Sequence, residues 1–166
     1  MATLTDNKNY LQPTGFSVSI DRKNYPNLQY FAQSVTHPGS SVNPVEIPAR
    51  RIVSVPLAGD KISYGEFQVD FILDEDMESY TELQKWLERI VNKGHITANE
   101  ALTSGEIATA ADITVNILTS HNNKNKRIKY LGCIPTNVGS IEMNASQNQT
   151  YLTFTSSFRF DRFEIV

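Results

Sequence analysis

The sequence has a single cysteine, no excess of positive charge and no long apolar run, and each shortage excludes a class of protein. One thiol, at Cys133, cannot form a disulfide within the chain and fits a reducing cytoplasm. A formal net charge of −3 argues against a general nucleic-acid binder, which needs clustered cations to neutralise phosphates. No segment approaches the ~20 apolar residues of a membrane span, and residues 1–10 lack the apolar segment of a signal peptide. We therefore expect a protein of aqueous surroundings with no stable membrane anchoring.

Residues that carry out catalysis or bind metals are also sparse. The histidines, His37, His95 and His121, lie far apart, and none has a nearby His or Cys with which to form a metal-binding pair. Cys133 lies in an apolar segment, where a buried and unreactive thiol is the usual outcome. The acidic run Asp74–Glu78 lacks the glycine and the distal glutamate of a calcium loop, and it suits the start of a helix instead. The sequence predicts no cofactor, no metal site and no enzyme.

The residues that are present alternate between apolar and polar in several segments, which predicts a protein made mainly of β-strands. In the clearest strand, Glu66–Leu73, one face is apolar and the other polar. From Met77 to Val91 the apolar residues recur every three or four positions, which predicts one amphipathic helix that packs on the sheet and ends near Gly94. A further short strand is predicted at Leu28–Val35. A length of 166 residues and an ordinary composition fit a single domain with one core.

Proline sets one segment apart from the rest of the predicted sheet. Four prolines fall between His37 and Asp60, and that density excludes a central strand paired on both sides. Within this segment residues 50–55 can still pair along one edge, and residues 58–61 would turn the chain back. We expect an extended hairpin at about residues 44–64, inside a single domain of residues 13–166. Residues 1–12 are expected to form a flexible N-terminal arm.

The polar faces of the predicted strands are rich in hydroxyl and amide groups and contain no lysine. Two interpretations stand. Serine and threonine are common on the wet face of any antiparallel sheet. Alternatively, these residues form a smooth, neutral-to-acidic wall along which an anionic polymer can pass without binding. The candidate wall residues are Gln68, Asp70, Thr114, Asn116, Thr153, Thr155 and Ser157.

A short basic run, from Lys124 to Lys129, stands out against the acidic net charge. Its cations could contact phosphate, but no aromatic residue for base stacking lies among them before Tyr130. We favour a solvated turn, or ion pairs with the acidic run of a neighbouring subunit. The candidate pairs join Asp74 and Asp76 to Lys126 and Arg127.

The late motif Lys-Tyr-Leu-Gly-Cys-Ile-Pro-Thr-Asn-Val-Gly, residues 129–139, resembles the tail tube proteins of T4-type contractile-tailed bacteriophages. The order of parts is also similar, with the proline-rich segment followed by the Glu66–Leu73 strand and the helix that contains Trp86. In that family a Pro-Thr-Asn-Val-Gly turn precedes a terminal pair of strands, here residues 140–143 and 151–160. The resemblance extends roughly from residue 14 to the end of the chain.

The resemblance implies a fold and a mode of assembly. The fold would be a small antiparallel β-barrel or sandwich with one flanking helix. Family members form hexameric rings whose inner strands join into one continuous barrel around a lumen. The rings stack into a tube that conducts DNA during ejection. The partners implied are further copies of the chain, the tail sheath, baseplate tube proteins and a tail terminator. The location implied is the virion tail, after assembly in the host cytoplasm.

The resemblance also assigns a contact role to the predicted hairpin, whose tip would reach toward an adjacent subunit or ring. The N-terminal arm would become ordered only when rings stack. The hairpin residues expected to make contacts between subunits are Arg50, Arg51, Ile52, Val53, Ser54, Val55, Pro56 and Leu57.

Four alternatives to a main tube subunit remain open. The ring could belong to the baseplate, as a tube initiator, or to a related secretion tube, because all of these use the same ring. A monomeric β-barrel that binds a small ligand would instead need aromatic side chains on an exposed concave face, and the only tryptophan, Trp86, is expected in the core beneath the helix. An enzyme would need an acid, base or nucleophile gathered in a pocket, and the sequence assembles none.

Overall fold

A computed structural model describes residues 10–21, 24–30, 32–48, 54–91, 109–144 and 151–166. The predicted arm falls mostly on residues 1–9, which lie outside the described residues. Two helices and eleven strands occur within these ranges. They are β1 (Phe16–Ser19), α1 (Pro26–Tyr30), β2 (Ala32–Thr36), β3 (Ser40–Val42), β4 (Val45–Pro48), β5 (Ser54–Leu57), β6 (Ile62–Tyr64), β7 (Phe67–Ile72), α2 (Glu78–Ile90), β8 (Ala111–Leu118), β9 (Lys124–Val138), β10 (Thr153–Arg159) and β11 (Arg162–Ile165).

The main sheet is antiparallel and runs in the order β1-β8-β9-β10-β7-β2, with β11 paired to β9. The long strand β9 belongs to two layers. Up to Cys133 it pairs with β8 and β11, and from Ile134 it pairs with β10. We call β1, β8, β11 and the first part of β9 the β8 layer, and we call β2, β7, β10 and the last part of β9 the β7 layer.

Gly132 lies where β9 passes from one layer to the other. Its φ of 65° is in the left-handed region, which glycine adopts without strain. A Cβ atom at this position would lie 2.6 Å from a carboxylate oxygen of Asp161. The Gly132 amide donates a hydrogen bond to Oδ1 of Asp112 at 3.0 Å. The bend of β9 therefore depends on a residue without a side chain.

The two layers pack their apolar faces against each other to form one core. The rings of Phe67 in β7 and Tyr130 in β9 meet with centroids 4.2 Å apart. Burial of such large side chains is the main force that holds the layers together. The largest fully buried side chains are Trp86, Tyr25, Tyr130, Phe67, Phe71, Phe154, Phe158, Ile20, Leu28, Leu83, Ile113 and Val69.

The predicted amphipathic helix is present as α2, and it covers one side of the core. Its buried face includes Leu83 and Trp86. The Trp86 ring stacks on Tyr25 with centroids 4.4 Å apart, and its Nε1 donates to the carbonyl of Thr109 at 2.7 Å. The helix ends at Ile90, and the predicted stop at Gly94 lies outside the described residues. No helix among the described residues is both long and apolar enough to span a membrane.

Two details of the predicted strands are wrong. The segment predicted as a strand at Leu28–Val35 begins as helix α1, and β2 starts only at Ala32. Pro26 opens that helix, where the absence of an N–H group costs nothing. The expected turn at residues 135–139 is instead mostly the last part of β9, and residues 140–144 form no strand. The pairing of β9 with β10 is irregular between Ser157 and Phe158, which allows a proline within the strand.

The proline-rich segment forms a hairpin that stands away from the core. Its base is β3 paired with β6, and its outer part is β4 paired with β5. All residues of β3, β4 and β5 are exposed. At the base, the Tyr64 ring packs against Phe160 and Phe163 with centroids 5.5 Å and 5.4 Å away. We call residues 40–64 the hairpin; its tip, residues 49–53, lies outside the described residues.

Candidate assembly surfaces

The outer face of the β7 layer carries rows of small polar side chains. Strand pairing aligns Ser34, Asp70 and Thr155 across three strands. Both oxygens of the Asp70 carboxylate are bonded, one by the Thr155 hydroxyl at 2.6 Å and the other by the Ser34 hydroxyl. A second row joins Thr36, Gln68, Ser157 and Asn137. Hydrogen bonds therefore hold the side chains of the first row against the sheet.

The charge of this face is low. Its charged residues in the described strands are Asp70 and Arg159, and it contains no lysine. Of the seven candidate wall residues, five lie here. Ser157 is only 5% exposed because its neighbours cover it. Those five are Gln68, Asp70, Thr153, Thr155 and Ser157.

The other two candidate wall residues lie on a different surface, the outer face of the β8 layer. Thr114 is paired with Lys129, and Asn116 is paired with Arg127. Asn116 is 6% exposed, and its amide donates to the Ser17 hydroxyl at 3.2 Å. The structure therefore divides the predicted set between two faces that point away from a shared core. Sequence alternation shows which side chains leave the core, but it does not show to which layer a strand belongs.

Sequence reasoning missed three residues of the β7 face: Ser34, Thr36 and Asn137. The alternation of Ser34 and Thr36 with Val35 was a usable signal, but the misplaced strand boundary concealed it. Asn137 was assigned to a turn. Ser34 is paired with Asp70, Thr36 with Gln68, and Asn137 with Ser157. Each of the three therefore lies beside a predicted wall residue.

The β7 layer has two open edges among the described residues. At one edge β2 pairs only with β7, and at the other the last part of β9 pairs only with β10. An open edge presents unpaired N–H and C=O groups that can bond another strand. The layer can therefore accept a strand from a neighbouring molecule at either side.

The hairpin exposes an apolar face. Val45 is paired with Leu57, and Ile47 is paired with Val55, and these four side chains are 47–59% exposed. The alternate residues of β4 and β5 form a more polar face, where the Ser54 hydroxyl donates to Glu46 at 3.1 Å. Of the predicted contact residues, Ser54, Val55, Pro56 and Leu57 make up β5, whereas Arg50, Arg51, Ile52 and Val53 lie outside the described residues.

The acidic residues before α2 differ in their roles. Oδ2 of Asp74 accepts from the Glu78 amide at 2.9 Å, and its Oδ1 accepts from the Ser79 hydroxyl at 2.9 Å. Burial acts to raise the pKa of Asp74, but the hydrogen bonds from Glu78 and Ser79 together outweigh it and lower the pKa. Asp74 is therefore a helix cap, as expected for this run. Asp76 is exposed, and so are Lys126 and Arg127. The candidate pairs do not meet within one chain.

The described residues offer little reactive chemistry. Burial raises the pKa of the Cys133 thiol to about 12, so the thiolate is not formed near neutral pH. Nδ1 of His37 and the Tyr130 hydroxyl lie 2.6 Å apart, and burial also raises the pKa of Tyr130. In the part of the chain that the structure describes, no three His, Cys, Asp or Glu side chains are grouped so as to hold a metal ion. The surfaces are suited to association rather than catalysis.

Comparison with known families gives the assignment. The family described as phage tail tube protein matches residues 3–166, nearly the whole chain. This chain belongs to the phage tail tube protein family. The tail tube family is structural and not enzymatic, which agrees with the predicted absence of an active site. No curated protein sequence matches the tail tube protein.

Solved structures share its fold. The tube-terminating cap of the anti-feeding prophage (AFP) aligns with a TM-score of 0.69 and 12% identity, covering 100% of this chain and 99% of that chain. The AFP baseplate aligns with a TM-score of 0.64 and 12% identity, covering 100% of this chain and 97% of that chain. The extended sheath-tube complex of the extracellular contractile injection system PVC aligns with a TM-score of 0.65 and 14% identity. The alignment covers 95% of this chain and 91% of that chain. The predicted antiparallel β-fold with a flanking helix is confirmed.

Proposed function

We propose that this tail tube protein is the main tube subunit of a T4-type contractile phage tail. Six copies form a ring, and rings stack into a tube whose lumen conducts DNA during ejection. The observation that carries the proposal is the outer face of the β7 layer, which combines hydroxyl and amide groups with a near absence of charge.

A lumen that conducts DNA must not bind it. An excess of lysine and arginine over acidic residues on the wall would attract phosphates and release counterions, so a polyanion would be held at every ring. The β7 face has Asp70 and Arg159 as its charged residues within the described strands, and hydrogen bonds fix the Asp70 carboxylate within the sheet. Gln68, Thr153 and Thr155 offer neutral groups between them.

The open edges of the β7 layer support ring closure. Edge-to-edge pairing of β2 with the last part of β9 in the next subunit would continue the sheet around a ring and leave no edge exposed. The hairpin then supplies a second contact, because the face formed by Val45, Ile47, Val55 and Leu57 is half exposed in one chain and would be buried against an adjacent subunit or ring.

The tube so formed would have further partners. The similar solved structures come from a tube-terminating cap, a baseplate and a sheath-tube complex. By analogy, we expect the tube to meet a tail sheath, baseplate tube proteins and a terminator. Its location would be the virion tail, after assembly in the host cytoplasm.

A second candidate function is a baseplate ring or the tube of a related injection or secretion system. The fold similarity to PVC, which is named as an extracellular contractile injection system, and to the AFP baseplate favours it. The two candidates differ in cargo, and in whether the protein occupies the length of a tail or one ring at its end. Labelled antibodies on intact particles would distinguish them: labelling along the whole tube indicates the main subunit, and labelling at one end indicates a baseplate ring.

The first experiment is negative-stain electron microscopy of the purified protein across a concentration series, with mass measured in solution. We expect rings of six copies and hollow tubes of uniform width. A compact monomer at every concentration, also in the presence of tail or baseplate fractions that could nucleate a tube, would contradict the proposal and favour a monomeric ligand-binding β-barrel.

A further inference from the structure

We propose that opposite charges at the two ends of the subunit join successive rings head to tail. The basic start of β9 in one ring would meet the acidic run before α2 in the next ring. This inference rests on the proposed ring assembly, and it assigns the candidate charge pairs to the contact between rings rather than within a ring.

The basic group lies at one end of the barrel. β8 ends at Leu118, and a short turn leads to Lys124, where β9 begins. Lys124, Lys126 and Arg127 are exposed, and no ion pair or side-chain hydrogen bond connects them to another described residue. β11 ends beside them, since the Val166 amide donates to the Arg127 carbonyl at 2.8 Å.

The acidic group lies at the opposite end. β9 covers 15 residues from Lys124 to Val138, and it passes from the β8 layer to the β7 layer on the way. There β10 pairs Ser156 with Val138, and further along it pairs Thr153 with Ile72. The end of β7 therefore lies beyond the far end of β9. The acidic run follows directly after that end.

The acidic end keeps an excess of carboxylates: Lys85 of α2 lines the same depression as Asp76, Glu78 and Glu82 and offsets only part of their charge. Glu75, Asp76 and Glu78 are exposed, whereas Asp74 is committed to capping α2. Residues 139–144, which follow β9, contain Glu142 and no lysine or arginine. The subunit is thus an electrostatic dipole along its length, although its net charge is only −3.

Such a dipole specifies direction. Contact between unlike ends can repeat without limit and generates an open stack, as a head-to-tail interface does. Contact between two like ends places cation against cation, or carboxylate against carboxylate, and is disfavoured. Rings would therefore add in a single orientation.

The test uses two charge-reversal variants, Lys126→Glu/Arg127→Glu and Glu75→Lys/Asp76→Lys. Each has two like-charged ends, so each should form rings that fail to stack. The protein concentration needed for tubes should rise about tenfold or more, because the lost pairs recur around the ring. The two kinds of preformed ring, once mixed, should stack alternately into tubes, because every contact then joins unlike charges.

The charged groups could join successive rings, as proposed, or neighbouring subunits within one ring, and the variants distinguish these two interfaces. If the charges joined subunits within a ring, each variant alone would remain monomeric while the natural protein formed tubes, and the inference would be overturned. It would also be overturned by variants that form tubes at the natural concentration, or by rings that do not stack after mixing. A chain carrying all four substitutions should stack by itself, which checks that the reversed residues still fold.

A matched control reverses two exposed cations near the middle of β9, Arg159→Glu/Arg162→Glu, which pair with Ile134 and Leu131. This control should form tubes like the natural protein. Failure of the natural protein to form any ring would instead contradict the proposed function itself. The two failures are therefore distinguishable.

Discussion

Asp74 stabilises the first turn of α2 with both of its carboxylate oxygens. The amide groups at the start of a helix have no partner within the helix, and Asp74 supplies one from outside. We expect Asp74→Ala to lower the free energy of unfolding of the unassembled protein by about 1 kcal/mol at neutral pH. Asp76→Ala removes an exposed carboxylate from the same run and should change it by less than about 0.5 kcal/mol. Urea unfolding of both variants at low protein concentration measures the difference.

The effect of Asp74 should also depend on pH. Its pKa is lowered in the folded protein, so folding favours the charged form. The stabilisation is then complete above the pKa of the unfolded chain, about 3.9, and is lost as the pH falls through the lower folded value. The difference in unfolding free energy between the natural protein and Asp74→Ala should therefore shrink below about pH 4. A difference that stays constant down to pH 2 would show that the carboxylate charge is not involved.

The structure explains the two glycines of the late motif, residues 129–139. Gly132 permits the bend of β9, and Gly139 lets the chain approach Thr155, where a Cβ atom would lie 2.6 Å from the carbonyl oxygen. The sequence indicated that this motif is distinctive. It did not indicate why, because the contacts involve residues about 15 to 30 positions away along the chain, such as Asp161 and Thr155.

At the scale of elements, the hairpin combines exposure with an apolar face, which suits a contact between subunits. We expect Ile47→Glu/Val55→Glu to prevent tube formation, because it places charges in a surface that assembly would bury. The core is untouched, so unfolding of the unassembled protein should change little. Electron microscopy and sedimentation measure assembly, and urea unfolding measures stability.

The same hairpin provides a matched control on its other face. Pro48 and Ser54 form the adjacent cross-strand pair, so Pro48→Glu/Ser54→Glu adds the same two charges at the same spacing. This variant should assemble much better than the first. Equal loss of tubes in both variants would show that any charge pair damages the hairpin, and that its apolar face has no special role.

Sequence periodicity was most informative for elements that touch the core. It predicted β7 and α2 because burial imposes a period of two on a strand and of 3.6 on a helix. It failed for α1, a helix of five residues that is too short to show a period. It failed again at the end of β9, where Pro135 suggested a turn but an irregular strand pair accommodates it.

At the scale of the whole molecule, the layer to which a strand belongs could not be predicted. Thr114 and Asn116 have the same polar character as Gln68 and Thr155, yet they lie on the β8 layer beside Lys129 and Arg127. Which face each strand shows depends on how β9 crosses between layers. The candidate wall residues share one chemical type, but the topology divides them between two faces, and the lumen assignment stays a prediction.

This division provides the sharpest test of the lumen. We expect Gln68→Lys/Thr153→Lys to slow or stop DNA ejection from particles that still assemble, because cations repeated at every ring would bind the passing phosphates. The control, Ser17→Lys/Thr114→Lys, adds the same charge to the outer face of the β8 layer and should leave ejection unchanged. Release of dye-labelled DNA from purified particles measures the rate.

Slower ejection in the control alone would place the lumen on the β8 layer, and normal ejection in both would exclude either face as a wall that DNA contacts. Higher salt should restore ejection in the β7-face variant, since screening weakens phosphate binding.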